Sequence, residues 1–206
     1  MEHILFIGNS HTYYNDLPDI FKRLCKWNSR EVFTVMLAHG GKGVDFHRNE
    51  PEVPHNIVFG GYDRIVLQDA ANTFDKEVLW RDGGEIVRLI KKSGADGILY
   101  MPWQNVNNRE RQSYHTACHV EFAKETGLAL APAGEAFWKF YDENPDIPLI
   151  RDDGEHATKK GSYLAACVIY CAMYGEKPKT DKDKLHEKMA EYAYETYTEY
   201  KEKICL

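Results

Sequence analysis

Ser10 stands two residues beyond Gly8, at the end of the short apolar run Ile4-Leu5-Phe6-Ile7. A serine after a strand and a small residue can be presented on a tight turn entering a helix, with its own N–H free to donate. Its hydroxyl needs a base before it attacks anything at neutral pH. The chain supplies one far downstream, in Asp153-Gly154-Glu155-His156, just before Gly161-Ser162-Tyr163-Leu164. An acid and an imidazole three residues apart come from one turn, so the carboxylate can orient the ring with little help from distant packing. A hydroxyl with a candidate base is the pattern of nucleophilic catalysis. The competing readings are a helix-capping role for Ser10, a surface histidine at a helix start for His156, and Asp152 or Glu155 in place of Asp153.

Other chemistry-bearing groups are weaker signals. His115 and His119 lie one helical turn apart and can share a metal. No H-E-x-x-H glutamate and no third ligand accompanies them, so a partly exposed helical face is expected and no metal is assigned. Gly40-Gly41-Lys42-Gly43 lacks the spacing of a phosphate-binding loop. The five cysteines are odd in number, and Cys167 and Cys171, four apart on a helix, read as small core residues.

The elements that position these groups follow from hydropathy periodicity. Ile4–Ile7, Val32–Leu37, Arg64–Gln68, Gly97–Met101 and Leu128–Ala131 read as short buried strands. Between and after them, Asp16–Trp27, Glu85–Lys92, Arg109–Thr126, Glu135–Tyr141, Lys159–Tyr174 and roughly Asp181–Lys201 read as helices. Such alternation predicts a three-layer α/β/α sandwich around a parallel sheet of about five strands. Ligands of such sheets bind at the carboxyl ends of the strands. Ser10, the glycine loop and Gln68-Asp69-Ala70-Ala71-Asn72 therefore share one rim, with Trp103 and Gln104 beyond the fourth strand. His11, His39 and His47 fall beside them, and His11, His39, Trp103 and Gln104 are the expected substrate contacts.

Nothing divides the 206 residues, so one domain spanning 1–206 is expected, with the helix near 181–201 packed on it. A hydrophobic fraction of 43% is that of a folded globular chain rather than a disordered one. A net charge of −6 repels polyanions and argues against nucleic acid. No basic leader and no run of ~18 apolar residues is present, which argues against a membrane and points to the cytoplasm.

The segment Gly8-Asn9-Ser10-His11 after the first strand resembles the first block of the SGNH/GDSL hydrolases. Asp153-Gly154-Glu155-His156 resembles their last block, in the family's order and at its length. The segment from Tyr62 to Gln68 resembles that of a bacterial branch of SGNH-like proteins. This resemblance implies a flavodoxin-like sheet, no organic cofactor and a triad of Ser10, His156 and Asp153 that cleaves a carboxylic ester through an acyl-enzyme. It also implies an oxyanion hole made by the Ser10 N–H, a glycine N–H (Gly41, alternatively Gly40) and a side-chain amide. The family's G-x-N-D block is absent here, which leaves Gln68 for that amide, with Asn72 as the alternative. The implied substrate is a small acyl group, such as acetyl, on a sugar or similar polyol. An acyltransferase using the same site, or a non-catalytic flavodoxin-like protein that binds a small ligand, are the rival expectations.

Overall fold

The computed structural model describes residues 1–205. Five parallel strands form one sheet: β1 (Glu2–Gly8), β2 (Val32–Ala38), β3 (Arg64–Gln68), β4 (Asp96–Tyr100) and β5 (Ala129–Ala131), in the order β2-β1-β3-β4-β5. The helices are α1 (Ser10–Tyr13), α2 (Leu17–Trp27), α3 (Val44–Asn49), α4 (Glu52–Phe59), α5 (Lys76–Val78), α6 (Gly84–Ser93), α7 (Gln112–Thr126), α8 (Ala133–Glu143), α9 (Lys159–Tyr174) and α10 (Lys184–Cys205). The expected α/β class and strand count are both present.

Alternation along each strand creates two cores. Ile4 and Phe6 join Val66, Ile98 and Tyr100 on the face covered by α2, α8 and α9. Leu5 and Ile7 join Ile65, Leu67 and Leu99 on the face covered by α3, α4, α6 and α7. All four β1 side chains are fully buried, each contributing about 1.5–3 kcal/mol by leaving water. Burial on both faces explains why β1 reads as an unbroken apolar run, whereas β2, expected to be buried, lies at the sheet edge and leaves Phe33 and Met36 exposed. Cys167 and Cys171 are buried in the first core, as their spacing suggested. The charged helix α10 packs on α9, α8, α7 and β5, covering the β5 edge of the sheet.

Helices α3 and α4 went unassigned from the sequence because Pro51 and Pro54 interrupt the segment; Pro54 is tolerated because it lies in the first turn of α4. Helix α7 starts at Gln112 rather than Arg109, since Asn108 leaves helical geometry. Among the described residues no helix is long and apolar enough to cross a membrane.

The order 2-1-3-4-5 reverses direction between β1 and β3. That switch point opens a crevice at the carboxyl ends of those two strands. Ser10 follows β1, and Gln68 ends β3.

Candidate active site

The turn carrying Ser10 is fixed by long-range bonds. Gly8 has no side chain for a steric reason: a Cβ there would lie 2.4 Å from Thr12 Oγ1 and 2.5 Å from Gln68 Oε1. The space holds the Gln68 amide, whose Oε1 accepts from Asn9 N (2.9 Å) and Thr12 Oγ1 (2.8 Å). The Gln68 Nε2 donates to the carbonyl of Asp69. Asn9 Oδ1 caps α1 by accepting from His11 N at 3.1 Å, and its Nδ2 donates to Lys42 O at 2.9 Å. The Gly8 carbonyl accepts from His39 N at 3.0 Å and from His47 Nε2 at 2.7 Å. Ser10 itself is only 5% exposed. Its N–H occupies the first helical position of α1, where an amide has no acceptor within the helix.

The second turn is held mainly by its own residues, with Val106 N donating to Gly154 O at 2.9 Å from outside it. Asp153 Oδ1 accepts from the N–H groups of Glu155 and His156, each at 2.9 Å, and Oδ2 accepts from His156 Nδ1 at 2.9 Å. Burial alone would raise the Asp153 pKa. The two amides and the imidazole outweigh it and bring the carboxyl down to about 2. With the Nδ1 proton directed at Asp153, Nε2 keeps its lone pair and is the basic atom of the ring. Gly154, at φ +73°, makes the turn possible.

Side chains from both turns meet. The His156 ring stacks on Tyr14 at 4.1 Å between centroids and lies 6.3 Å from the His11 ring. Asn15 Nδ2 donates to Ala157 O and to Ser162 Oγ, each at 2.9 Å. The Ser162 hydroxyl in turn donates to Tyr14 O at 3.4 Å. Asn15 and its neighbour Asp16 both adopt positive φ, a strain of order 1–3 kcal/mol per residue held by this clasp and by the start of α2. Ser10 therefore lies in a stretch whose flanking residues touch His156 on one side and its backbone neighbours on the other. Neither His156 nitrogen bonds the Ser10 hydroxyl among the described residues; Nδ1 faces Asp153.

Several expected contacts are placed elsewhere. Gln68 is fully buried beneath the Ser10 turn, where its Oε1 braces that turn and its Nε2 donates to the Asp69 carbonyl, so the amide lies away from the open rim. Asn72 keeps its amide nitrogen available, its Oδ1 being occupied by Asn105 N at 3.1 Å. Trp103 is a core residue: it stacks on Phe137 at 3.9 Å, meets the His11 ring at 4.8 Å and 66°, and donates Nε1–H to Glu155 O at 2.8 Å. Gln104 is likewise buried, its N–H donating to Gln112 Oε1 and its Nε2 to Ala71 O, each at 2.9 Å. Neither can touch a substrate from where it lies.

Gly40 and Gly41 are exposed on the rim, in a turn closed by Lys42 N donating to His39 O at 3.1 Å. Gly41 supplies the positive φ (+69°) that this turn requires. His39 is half exposed, 3.6 Å from Glu52 and packed against Phe46 and His47. His11 is buried; burial and the neighbouring His156 depress its pKa to about 3, so the ring is neutral. Its Nε2 has no partner among the described residues.

His115 and His119 overturn the expected exposed face. Both are buried, 4.2 Å apart and packed against Phe74. Burial brings His119 down to about 4 and His115 well below its usual value, so the neutral rings pack as aromatics. Among the described residues no three His, Cys, Asp or Glu side chains are arranged to hold a metal.

Asp69 was placed on the rim by the sequence but given no role. It is 2% exposed, its Oδ1 accepts from Val44 N at 3.0 Å, and burial raises its pKa to about 6 against the pull of the Val44 and Ala70 amides. The available signal was an acid directly after a strand at the switch point. Asp69 and Gly41 border a hollow of about 230 Å³.

No family model matches the sequence, and neither does any curated protein. Solved structures do match. A DUF4886 family protein from Bacteroides uniformis is 17% identical with a TM-score of 0.77, over 96% of this chain and 95% of that one. An acetyl xylan esterase from Geobacillus stearothermophilus is 14% identical with a TM-score of 0.65, over 87% and 97%. A protein described as GDSL-like lipase from Parabacteroides merdae is 14% identical with a TM-score of 0.66, over 83% and 94%. At such identities the likeness speaks for the fold, which is that of the SGNH/GDSL hydrolases.

Proposed function

Proceeding from an SGNH/GDSL hydrolase-like fold, we propose that this protein hydrolyses a carboxylic ester through an acyl-enzyme on Ser10. The observation that carries the reading is the Asp153–His156 pair, held on the turn that clasps the residues around Ser10. His156 Nε2 takes the Ser10 proton as Oγ attacks the carbonyl and returns it to the departing alkoxide. Asp153 holds the tautomer and offsets the positive charge of the imidazolium. Water then repeats the sequence against the acyl-enzyme. The serine–histidine hydrogen bond forms with substrate present, since such bonds are often long in free enzymes.

The oxyanion donors in this reading are the N–H groups of Ser10 and Gly41, with the Asn72 amide as third, because the Gln68 amide is fully buried beneath the turn. A small acyl group is proposed from the likeness to an acetyl xylan esterase. An acylated sugar or polyol is the substrate class proposed, supported by the acetyl xylan esterase among the structural neighbours. Nucleic acid is not a proposed partner, and the cytoplasm is the proposed compartment.

Labelling with a fluorophosphonate, followed by intact mass, tests the nucleophile. One adduct on wild type and none on Ser10→Ala is expected, followed by acetate release from acetylated xylo-oligosaccharides. A folded wild type that takes no adduct between about pH 6 and 9 sinks the proposal and favours a ligand-binding protein without catalysis.

A further inference from the structure

A concavity of about 440 Å³ lies between α2, the start of α9 and the segment before α10, with Asn15 on the wall that faces the Ser10 and His156 turns. That is within the range of small-molecule sites. Its walls are aromatic and aliphatic: Leu24 and Trp27 from α2 face Tyr163 from α9. Trp27 is 57% exposed for so large an apolar side chain, and its Nε1–H is held by Thr180 O at 2.6 Å, which fixes the plane of the ring. Across the groove the His186 ring stacks on Tyr163 at 4.0 Å and is tied to Asp181 at 2.7 Å. Burial keeps the Tyr163 phenol well above its usual pKa, so its hydroxyl stays protonated. The aromatic walls are thus set before any ligand arrives, which lowers the entropy cost of filling the space.

The rim has the opposite sign to the chain. In a protein of net charge −6, Arg23, Lys159 and Lys160 line this groove. Arg23 is engaged by Asp19 at 2.8 Å, and Asp181, the one acid in the lining, is engaged by His186. Lys159 and Lys160 are exposed and form no ion pair among the described residues. A groove with Trp27 and Tyr163 in its walls and two uncommitted ammonium groups at its edge matches one ligand chemistry: an aromatic body carrying an anionic group. We infer that this groove is a second binding site, distinct from the Ser10 rim, for a small aromatic carboxylate. The ring lies between Trp27 and Tyr163, and the carboxylate is met by Lys159 and Lys160.

The test uses 2-naphthoate and its neutral isostere 2-naphthamide, titrated by calorimetry into the whole protein. The expected result is one naphthoate per chain with a dissociation constant below about 1 mM and at least tenfold weaker binding of the amide. The double variant Lys159→Gln/Lys160→Gln, with both changes on exposed positions, is expected to lose about tenfold for naphthoate while its circular dichroism is unchanged. Quenching of Trp27, read as the difference between wild type and Trp27→Phe, places the ring. Protein whose Ser10 is occupied by a fluorophosphonate, or carries Ser10→Ala, is expected to bind naphthoate as wild type does. Equal affinity for acid and amide, an unaffected lysine variant, no binding at 1 mM, or loss of binding on changing Ser10 would each overturn the inference.

Discussion

The turn that carries Ser10 and the turn that carries His156 are built on opposite principles. The first is nearly inaccessible and is held by residues 30 to 90 positions away: Lys42 O, Gln68 and the Tyr100 hydroxyl, which donates to His11 O at 3.3 Å. The second is exposed, and its central bonds span two or three residues, all of them to Asp153. A nucleophile has to be placed against a fixed set of donors, so the sheet itself is its scaffold. A base that carries a proton out and back needs an oriented ring with room to adjust, and a short self-bonded turn supplies that.

The largest effects expected from this contrast are on activity. Ser10→Ala and His156→Ala should each lower kcat by about 10⁴–10⁶-fold, and the double variant should be no worse than either, because the groups act as a unit. Asp153→Asn should cost less, about 10²–10⁴-fold, with a melting temperature close to wild type, because its bonds are local and half in water. Steady-state rates on an acetyl ester with parallel thermal melts check both. A large loss of stability in Asp153→Asn would break the contrast.

Gln68→Ala should show the converse. It leaves the Asn9 N–H and the Thr12 hydroxyl buried without their acceptor and opens a void under Gly8. A loss of about 2–4 kcal/mol is expected, measured by urea unfolding, with the remaining folded protein also slowed. Retained stability would mean that the nucleophile turn does not depend on this brace.

What was legible in the sequence divides along the same line. Asp153 and His156 are readable because the interaction is encoded within four residues, and the β1 run is readable because burial on both faces makes it continuously apolar. The buried place of Gln68 was not legible, because its position after β3 identifies the rim but not the direction of its side chain. That direction depends on Gly8, 60 positions earlier, leaving space for the amide. Trp103 and Gln104 failed for a related reason. The strand-end rule places residues at the carboxyl edge of a sheet, and whether they face ligand or core is decided by helices arriving later, here α8 with Phe137 and α7 with Gln112. His115 and His119 read as exposed because histidine is polar by type, whereas the neutral ring packs like any other aromatic beside Phe74.

The buried carboxyl at the rim gives a smaller effect with a definite sign. Asp69 ionises near 6 when folded and near its ordinary 3.8 when unfolded, so between about pH 4 and 6 the folded protein holds the extra proton. Its contribution to stability therefore falls as pH rises through that window and is constant above it. His11 and His119, depressed to about 3 and about 4, act the other way: the unfolded chain protonates them below 6.5, so their contribution rises with pH there. Asp69→Asn should remove only the first of these, making the rise in unfolding free energy between pH 4 and 6 steeper by up to one proton. Urea titrations at four or five pH values measure the slope, and an unchanged slope would mean that Asp69 is already ionised at pH 4.

The smallest expected effect falls on the one core side chain that touches both turns. Trp103 meets His11, next to the nucleophile, and bonds the carbonyl of Glu155, next to the base. Trp103→Phe keeps an aromatic ring for the Phe137 stack and for His11 but removes the Nε1–H. The released carbonyl is near solvent and can be hydrated, so stability should fall by only about 1 kcal/mol. If the base turn is truly self-sufficient, activity should follow stability and stay near wild type at 25 °C. If the turn is steadied from the core, kcat should drop by about 3–10-fold at unchanged KM, because misplacing a general base costs rate rather than binding. The placement of Trp103 under Glu155 favours the second outcome: the Asp153 bonds orient the ring within the turn, and bonds from outside it, Trp103 Nε1–H to Glu155 O and Val106 N–H to Gly154 O, fix where it points.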